Sequence, residues 1–528
     1  MRYFNTAGPC TAERHYMLSA EERLPQARAL VEEGHYFVLH APRQTGKTTA
    51  LATLARSLTA SGRYAAVRFS CENAEVAGED YGRAEDQVLE AIREVTKAGW
   101  FPDELAPPAT WPDAVPGARL QVGLAEWARS CPRPLVLFFD EIDALRGDSL
   151  RSILRQLRNG FTGVREEFPH SVALCGLRDV RDYKAASGGD PGRLGTSSPF
   201  NIKIASLRLG DFTEAETAEL YRQHTAETGQ EFTPDAIERA FCYTQGQPWL
   251  VNALAYEIIR WMEVPPSEPI TAEHVDEAKE RLILARATHL DSLVAKLGED
   301  RVRRVIEPLI AGELPDGGVT YDDDRSYVRD LGLIAPNSPV RVANPIYREV
   351  IVRVLGSSAE DAVTDTPSSF RLPDGRIDMD KLLRSFAAFW RENGEILASG
   401  STYPEAAAQL VMMAYLHRIV NGAGFIDREY GVGRRRIDLL IRQPYTNESD
   451  GSRAVQREAL ELKVWRQGRP DPLTDGLAQL DDYLDRTELP TGTLVVFDTR
   501  PEAAPVHDRT AFSTQTTPSG RTVTLLRA

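Results

Sequence analysis

Cysteine is scarce in this chain, with five in 528 residues. Cys10, Cys71, Cys131, Cys175 and Cys242 are scattered, odd in number and absent from any C-x-x-C pair, so they read as reduced, mostly core thiols. Long apolar runs are missing too. Nowhere do eighteen apolar residues stand together, which speaks against a membrane-spanning helix. The opening Met1-Arg2-Tyr3-Phe4-Asn5-Thr6 lacks the apolar stretch of a secretory signal, so a cytoplasmic protein without membrane partners is expected. Positive charge is in deficit: the net charge of -15 does not advertise a nucleic-acid coat. Local binding to DNA would then need a basic groove, or a metal between protein and phosphate, and would depend strongly on salt. Repeats at solenoid periods are also lacking. What is present is ordinary soluble-protein material, 42% hydrophobic and 26% charged, in a chain too long for one core. Two to four domains are expected.

The run His35-Tyr36-Phe37-Val38-Leu39-His40 is an apolar strand, and Ala41-Pro42-Arg43-Gln44-Thr45-Gly46-Lys47-Thr48-Thr49 follows before a helical pattern. This is a P-loop. A tight turn at Gly46 lets successive N–H groups and a helix N-terminus surround a triphosphate. Lys47 would reach the β- and γ-phosphates of ATP, and the Thr48 hydroxyl would hold Mg²⁺. Pro42, Arg43, Gln44, Thr45 and Thr49 complete the nucleotide-binding set. Ala41 replaces the usual first glycine, but the catalytic end of the motif is intact. A second apolar strand, Pro134 to Phe139, ends in Asp140-Glu141, which places two carboxylates at the carboxyl edge of a buried parallel sheet. Asp140 fits the Mg²⁺ partner and Glu141 the group that orients water.

Further strands are expected at Tyr64–Phe69, Ser171–Gly176 and Phe200–Leu207, alternating with helices, which is an α/β signature. The Pro-rich stretch Pro102 to Pro116 is expected to be a surface loop. From Phe212 onward helices opened by Thr213, Thr233 and Thr271 suggest a helical lid. Leu290 to Leu355, with a hairpin candidate at Asp316-Gly317-Gly318 and a strand-like Val340-Arg341-Val342, suggests a winged-helix-like module. Gly356 to Asp374 reads as a linker and the main boundary.

With Gln44-Thr45-Gly46-Lys47-Thr48, Asp140-Glu141, Gly176-Leu177-Arg178-Asp179 and Gly246-Gln247-Pro248 in order, the chain up to about residue 350 resembles the AAA-like ATPases of the STAND and origin-recognition branch. The resemblance implies that Arg178 senses the γ-phosphate and that Gly246 and Pro248 pack near the adenine. It also implies a switch, in which nucleotide state sets the angle between core and lid and so controls homo-oligomerisation or an attached effector.

The effector candidate lies at the other end. Tyr403-Pro404-Glu405 opens a helix with apolar Ala408, Val411, Met412, Tyr415 and Leu416 at three- and four-residue spacing. Strands follow at Phe425–Tyr430, Ile437–Ile441 and Glu458–Trp465, with Gln443 to Arg453 expected as a flexible loop. Alternation along a strand puts Glu461 and Lys463 on one face and Leu462 toward the core, and Asp438 can join them from the neighbouring strand. Two such carboxylates can hold a hard divalent cation, and the ammonium can position or deprotonate water beside a scissile phosphate. Arg434-Arg435-Arg436 could grip a DNA or RNA backbone.

The series Glu405, Asp438 and Glu461-x-Lys463, with Gln479-Leu480-Asp481-Asp482-Tyr483 after it, resembles the PD-(D/E)XK nuclease superfamily from about Ser385 to Leu526. The resemblance implies a restriction-endonuclease-like α/β domain with Glu405, Asp438, Glu461 and Leu462 in the metal set. Lys463 and Gln479 stand beside it, the metal is Mg²⁺ or Mn²⁺, and DNA is the substrate. The expected architecture is a P-loop ATPase core (1–210), lid (211–288), winged-helix-like module (289–356), linker (357–380) and nuclease-like domain (381–528). The leading functional expectation is an ATP-controlled, metal-dependent nuclease serving bacterial defence. The alternative is a nucleotide-operated sensor whose C-terminal domain binds nucleic acid or a partner without cutting.

Overall fold

The computed structural model describes the chain except residues 98, 178–201, 286–287, 311–322, 338, 357–364, 400–403, 421–423, 433–434 and 448–450. Two compact units emerge, Met1–Leu282 with Arg329–Gly332, and Ile283–Val328 with Leu333–Ala528.

The first unit is built on a five-stranded parallel sheet. Its strands are β1 (Tyr36–His40), β2 (Ala65–Ser70), β3 (Leu135–Asp140), β4 (Ser171–Gly176) and β5 (Lys203–Arg208), in the order β2-β3-β4-β1-β5. Helices cover both faces: α1 (Pro25–Glu32) and α2 (Lys47–Ala60) on one, and α3 (Tyr81–Thr96), α4 (Arg119–Ser130) and α5 (Gly147–Thr162) on the other. Because side chains alternate along a strand, Phe37, Leu39, Val136 and Phe138 pack with Leu51, Leu54 and Leu58 of α2. Their neighbours Tyr36, Val38, Leu137 and Phe139 pack with Val88, Leu124 and Ile153 on the opposite face. Strands buried on both faces read as continuous apolar runs, which is why they were legible.

The Pro-rich insert is irregular and largely exposed or half-buried, as expected, apart from a 3-10 turn at Asp103–Leu105 that anchors it to the core. Phe101 and Leu105 are buried, and the buried Trp127 indole of α4 donates to the Leu105 carbonyl at 2.9 Å. Of the thiols, Cys71 and Cys175 are buried in the core and the half-buried Cys131 packs against it, whereas Cys10 is half-buried and Cys242 exposed.

Beyond β5 come α6 (Glu214–Thr228), α7 (Pro234–Thr244), α8 (Pro248–Tyr256) and α9 (Ala272–Leu284). Thr213 and Glu216 close a reciprocal capping box on α6, whereas Thr233 makes no side-chain cap.

In the second unit, α10 (Thr288–Leu297), α11 (Asp300–Ile310), α12 (Pro345–Leu355), α13 (Met379–Ser399) and α14 (Pro404–Val420) precede a six-stranded mixed sheet. The hairpin candidate at 316–318 lies outside the described residues, and the Val340–Val342 segment contributes a single bridge, Ile334 to Val342. The sheet contains β6 (Phe425–Val432), β7 (Arg435–Thr446), β8 (Arg453–Trp465), β9 (Thr493–Asp498), β10 (Ala511–Thr516) and β11 (Thr522–Arg527), ordered β10-β11-β9-β8-β7-β6. β7 and β8 pair out to Thr446 and Arg453, so the expected loop is shorter than Gln443 to Arg453: Gln443–Thr446 and Arg453 belong to the ladder. Pairing satisfies the backbone polar groups that a loop would leave to water. Helix α15 (Leu473–Thr487) lays Leu480, Tyr483 and Leu484 on one face of the sheet, against Leu440, Ala459, Leu494 and Val496. Phe497 points to the other face, where it meets Phe386 and Trp390 of α13.

Candidate nucleotide and metal sites

The loop between β1 and α2 turns at Gln44 (φ 58°) and Gly46 (φ 91°), and Gly46 is the N-cap of α2. A side chain would strain that left-handed turn, and glycine relieves it. Lys47, the first helical residue, curls back so that its Nζ donates to the carbonyls of Ala41 and Pro42, each at 2.7 Å. Burial pulls the Lys47 ammonium below its ordinary range, while Asp140 and Asp143 push it back up. The Thr45 hydroxyl donates to the Pro42 carbonyl at 2.9 Å and holds the loop round. Ala41 packs into the α2 face of the core, so its methyl has room where a glycine was expected.

Asp140 is 1% exposed at the end of β3. Its Oδ2 accepts from the Thr48 hydroxyl at 2.8 Å and from Arg68 Nε and Nη2 at 2.9 and 2.7 Å, and its Oδ1 accepts from the Glu141 N–H at 3.0 Å. Glu141 sits in the left-handed region (φ 56°), an uncommon conformation for glutamate, and accepts from the Ser70 hydroxyl. Thus Lys47, Thr48, Asp140 and Glu141 converge, as the strand order requires of residues at the carboxyl ends of β1 and β3. Arg178 lies outside the described residues.

An open cleft lies beside Gln44, Thr45, Gly46 and Thr49. Tyr16, Met17, Leu18, Phe212, Pro248 and Trp249 give it an apolar wall. Pro248, at the first turn of α8, is one of the residues lining this cleft. Gly246 takes a different part: at φ +78° a Cβ there would meet the Phe212 carbonyl oxygen at 1.8 Å, so it is a close-packing glycine that accepts from the Phe212 N–H at 2.8 Å. Gln247, between them, donates to the Gln44 carbonyl at 3.4 Å.

In the second unit, Leu439 stands opposite Leu460, and continuing that register puts Asp438 beside Glu461 on the face of the sheet that α15 covers. Asp438 Oδ2 accepts from the Leu462 N–H at 2.9 Å. Lys463 Nζ donates to Glu461 Oε1 at 2.5 Å and to Gln479 Oε1, on α15, at 2.6 Å. Glu461 is 1% exposed, and its carboxyl is pushed up to about 7 by burial first and the Asp438 charge second, with Lys463 opposing. Its Oε2 is buried without a hydrogen-bond partner.

That orphan oxygen beside a second carboxylate fits a hard divalent cation, which would meet the unmet acceptor and offset the like charges. Among the described residues no group of three or more His, Cys, Asp or Glu gathers as a metal site. Glu405 is in the first turn of α14 but its side chain lies outside the described residues, as do Arg434 and the side chains of Arg435 and Arg436. Leu462 is buried, with its side chain on the opposite face from Glu461.

Sequence reading missed Arg68, Ser70, Gln247 and the orphan Glu461 oxygen. Arg68 interrupts the apolar run of β2, and that interruption was the signal available.

No family model matches the chain, and no curated protein matches it. Among solved structures it is similar to the Walker-type ATPase PABY2304 of Pyrococcus abyssi, at 13% identity over 66% of this chain and 99% of that one, with a TM-score of 0.45. It is similar to the Aeropyrum pernix ORC1 protein in complex with DNA at 12% identity over 64% and 93%, TM-score 0.34. It is also similar to the Thermotoga maritima RuvB Holliday junction branch migration motor at 16% identity over 63% and 93%, TM-score 0.33. What defines the first unit is its own parallel strand order together with the loop geometry around Gly46 and Lys47.

Proposed function

We propose that the first unit binds and hydrolyses ATP and that its nucleotide state governs a metal-dependent DNA nuclease in the second. The observation that carries the first half is the meeting of the Thr48 hydroxyl, at the N-terminus of α2, with the buried Asp140 carboxylate at 2.8 Å. Those are the groups that hold Mg²⁺ against a triphosphate. Lys47, now folded onto the loop carbonyls, would swing to the β- and γ-phosphates, and Glu141 would orient water once Ser70 releases it.

For the second half, support comes from Asp438, Glu461 and Lys463 on one sheet face with an unmet acceptor among them. Mg²⁺ or Mn²⁺ held by Asp438 and Glu461 would supply charge neutralisation and a more acidic bound water. Gln479 and Glu461 hold the Lys463 ammonium in place, from which it can donate to a phosphate oxygen or to the attacking water. Defence against foreign DNA is the setting that this pairing suggests.

Purified protein with Mg²⁺ or Mn²⁺ should degrade plasmid or linear DNA, and Asp438→Ala should stop it while the melting curve stays cooperative. Cleavage that persists in Asp438→Ala would place the activity elsewhere. Absence of cleavage in the parent would favour a domain that binds without cutting.

A further inference from the structure

Asn252 lies one turn beyond Pro248 on α8, and both line the cleft over the P-loop. The residue is 8% exposed. Its Nδ2 donates to the Pro248 carbonyl at 2.8 Å, which fixes the amide orientation, because the amide nitrogen can only donate. The Oδ1 is thereby left as an acceptor, buried and without a partner. A buried carbonyl acceptor is costly to leave unmet. Around it the cleft lining is mainly apolar, with Tyr16, Leu18 and Trp249, and with Phe212 carrying the Arg23 guanidinium over its ring at 4.6 Å, surroundings that suit a flat heterocycle.

We infer that Asn252 Oδ1 reads the nucleobase by accepting a hydrogen bond from the exocyclic 6-amino group of adenine, and so makes this site selective for adenine over guanine nucleotides. This rests on the nucleotide-binding reading of the Lys47 site. Guanine presents a carbonyl oxygen where adenine presents an amine, so two acceptors would face one another. A site built to meet a donor rejects the analogue that lacks it.

The test uses the full chain with Mg²⁺ and titrates ATP, GTP, 2′-deoxy-ATP and purine riboside triphosphate, which lacks only the 6-amino group. The parent should bind ATP and 2′-deoxy-ATP alike, and GTP and the riboside at least about tenfold more weakly. Asn252→Leu should lower ATP affinity to the level of the riboside and leave riboside affinity unchanged. Equal affinity of the parent for ATP and the riboside overturns the inference without any variant, and so does a preference lost only with the 2′-hydroxyl. Retained preference in a folded Asn252→Leu does the same. If Lys47→Ala binds all four as the parent does, or the parent binds none, the nucleotide-site reading itself fails and the base reading falls with it.

Discussion

Asp140 is heavily subscribed: one oxygen serves both Thr48 and Arg68. Arg68 pairs with this buried carboxylate at 2.7 Å. At this scale Lys47 and Glu141 separate by role. Lys47→Ala should lose nucleotide binding, whereas Glu141→Gln should bind ATP as the parent does and turn over about a hundredfold more slowly or worse. Parallel binding and turnover assays check this, and parental turnover in Glu141→Gln would rule Glu141 out as the water-orienting group. The residues Gly46, Lys47, Thr48, Asp140 and Glu141 were legible because a local motif carries their chemistry. Arg68 and Asn252 were not. Their importance comes from the registry of β2 on β3, which brings Ser70 level with Asp140, and from a helix folding over a distant loop.

Among elements, the turn before α8 is held by Gly246 against the backbone of Phe212. Gly246→Ala should destabilise the first unit by on the order of 1–3 kcal/mol from the left-handed backbone alone, with the clash adding to it. Thermal melting is the measure, and an unchanged Tm would mean that the turn relaxes freely. In the second unit, His289 of α10 bonds the Tyr347 hydroxyl of α12, and burial lowers its pKa from the ordinary 6.5 to about 4. The folded state therefore favours the neutral ring. Its contribution is whole above about pH 6.5 and is lost as pH falls toward 4, a change of up to about 3 kcal/mol at 1.36 kcal/mol per unit. His289→Gln should flatten the acid limb of the Tm–pH curve over that window, and an identical limb in both proteins would place the acid sensitivity elsewhere. Element type was readable from the sequence: a helix stands at Pro404–Val420, where the apolar spacing pointed, although it is buried nearly all round. Element ends were not: polar Gln443 to Thr446 looked like loop, yet cross-strand bonding made them strand.

For the whole molecule, the net charge of -15 means that any DNA contact must be local, so binding should fall steeply as salt is raised. The coupling of the two chemistries is tested by measuring DNA cleavage with no nucleotide, with ATP, and with ATP in Glu141→Gln, which should dwell in the ATP-bound state. Cleavage rates that differ between these conditions support a switch, and three equal rates would mean that the units act independently. Among the described residues no helix is long and apolar enough to cross a membrane.

By itself the sequence determined the alternation of buried strands and helices, the phosphate-binding turn and the presence of an acidic pair with a lysine, because each depends on residues close together in the chain. Tertiary structure alone decided that Arg68 pairs with Asp140, that Asp438 lies beside Glu461 with one oxygen unmet, and that Asn252 faces the cleft. These depend on strand register and helix packing between segments far apart in the chain. Such placement is set by the burial of whole faces, which no local motif encodes.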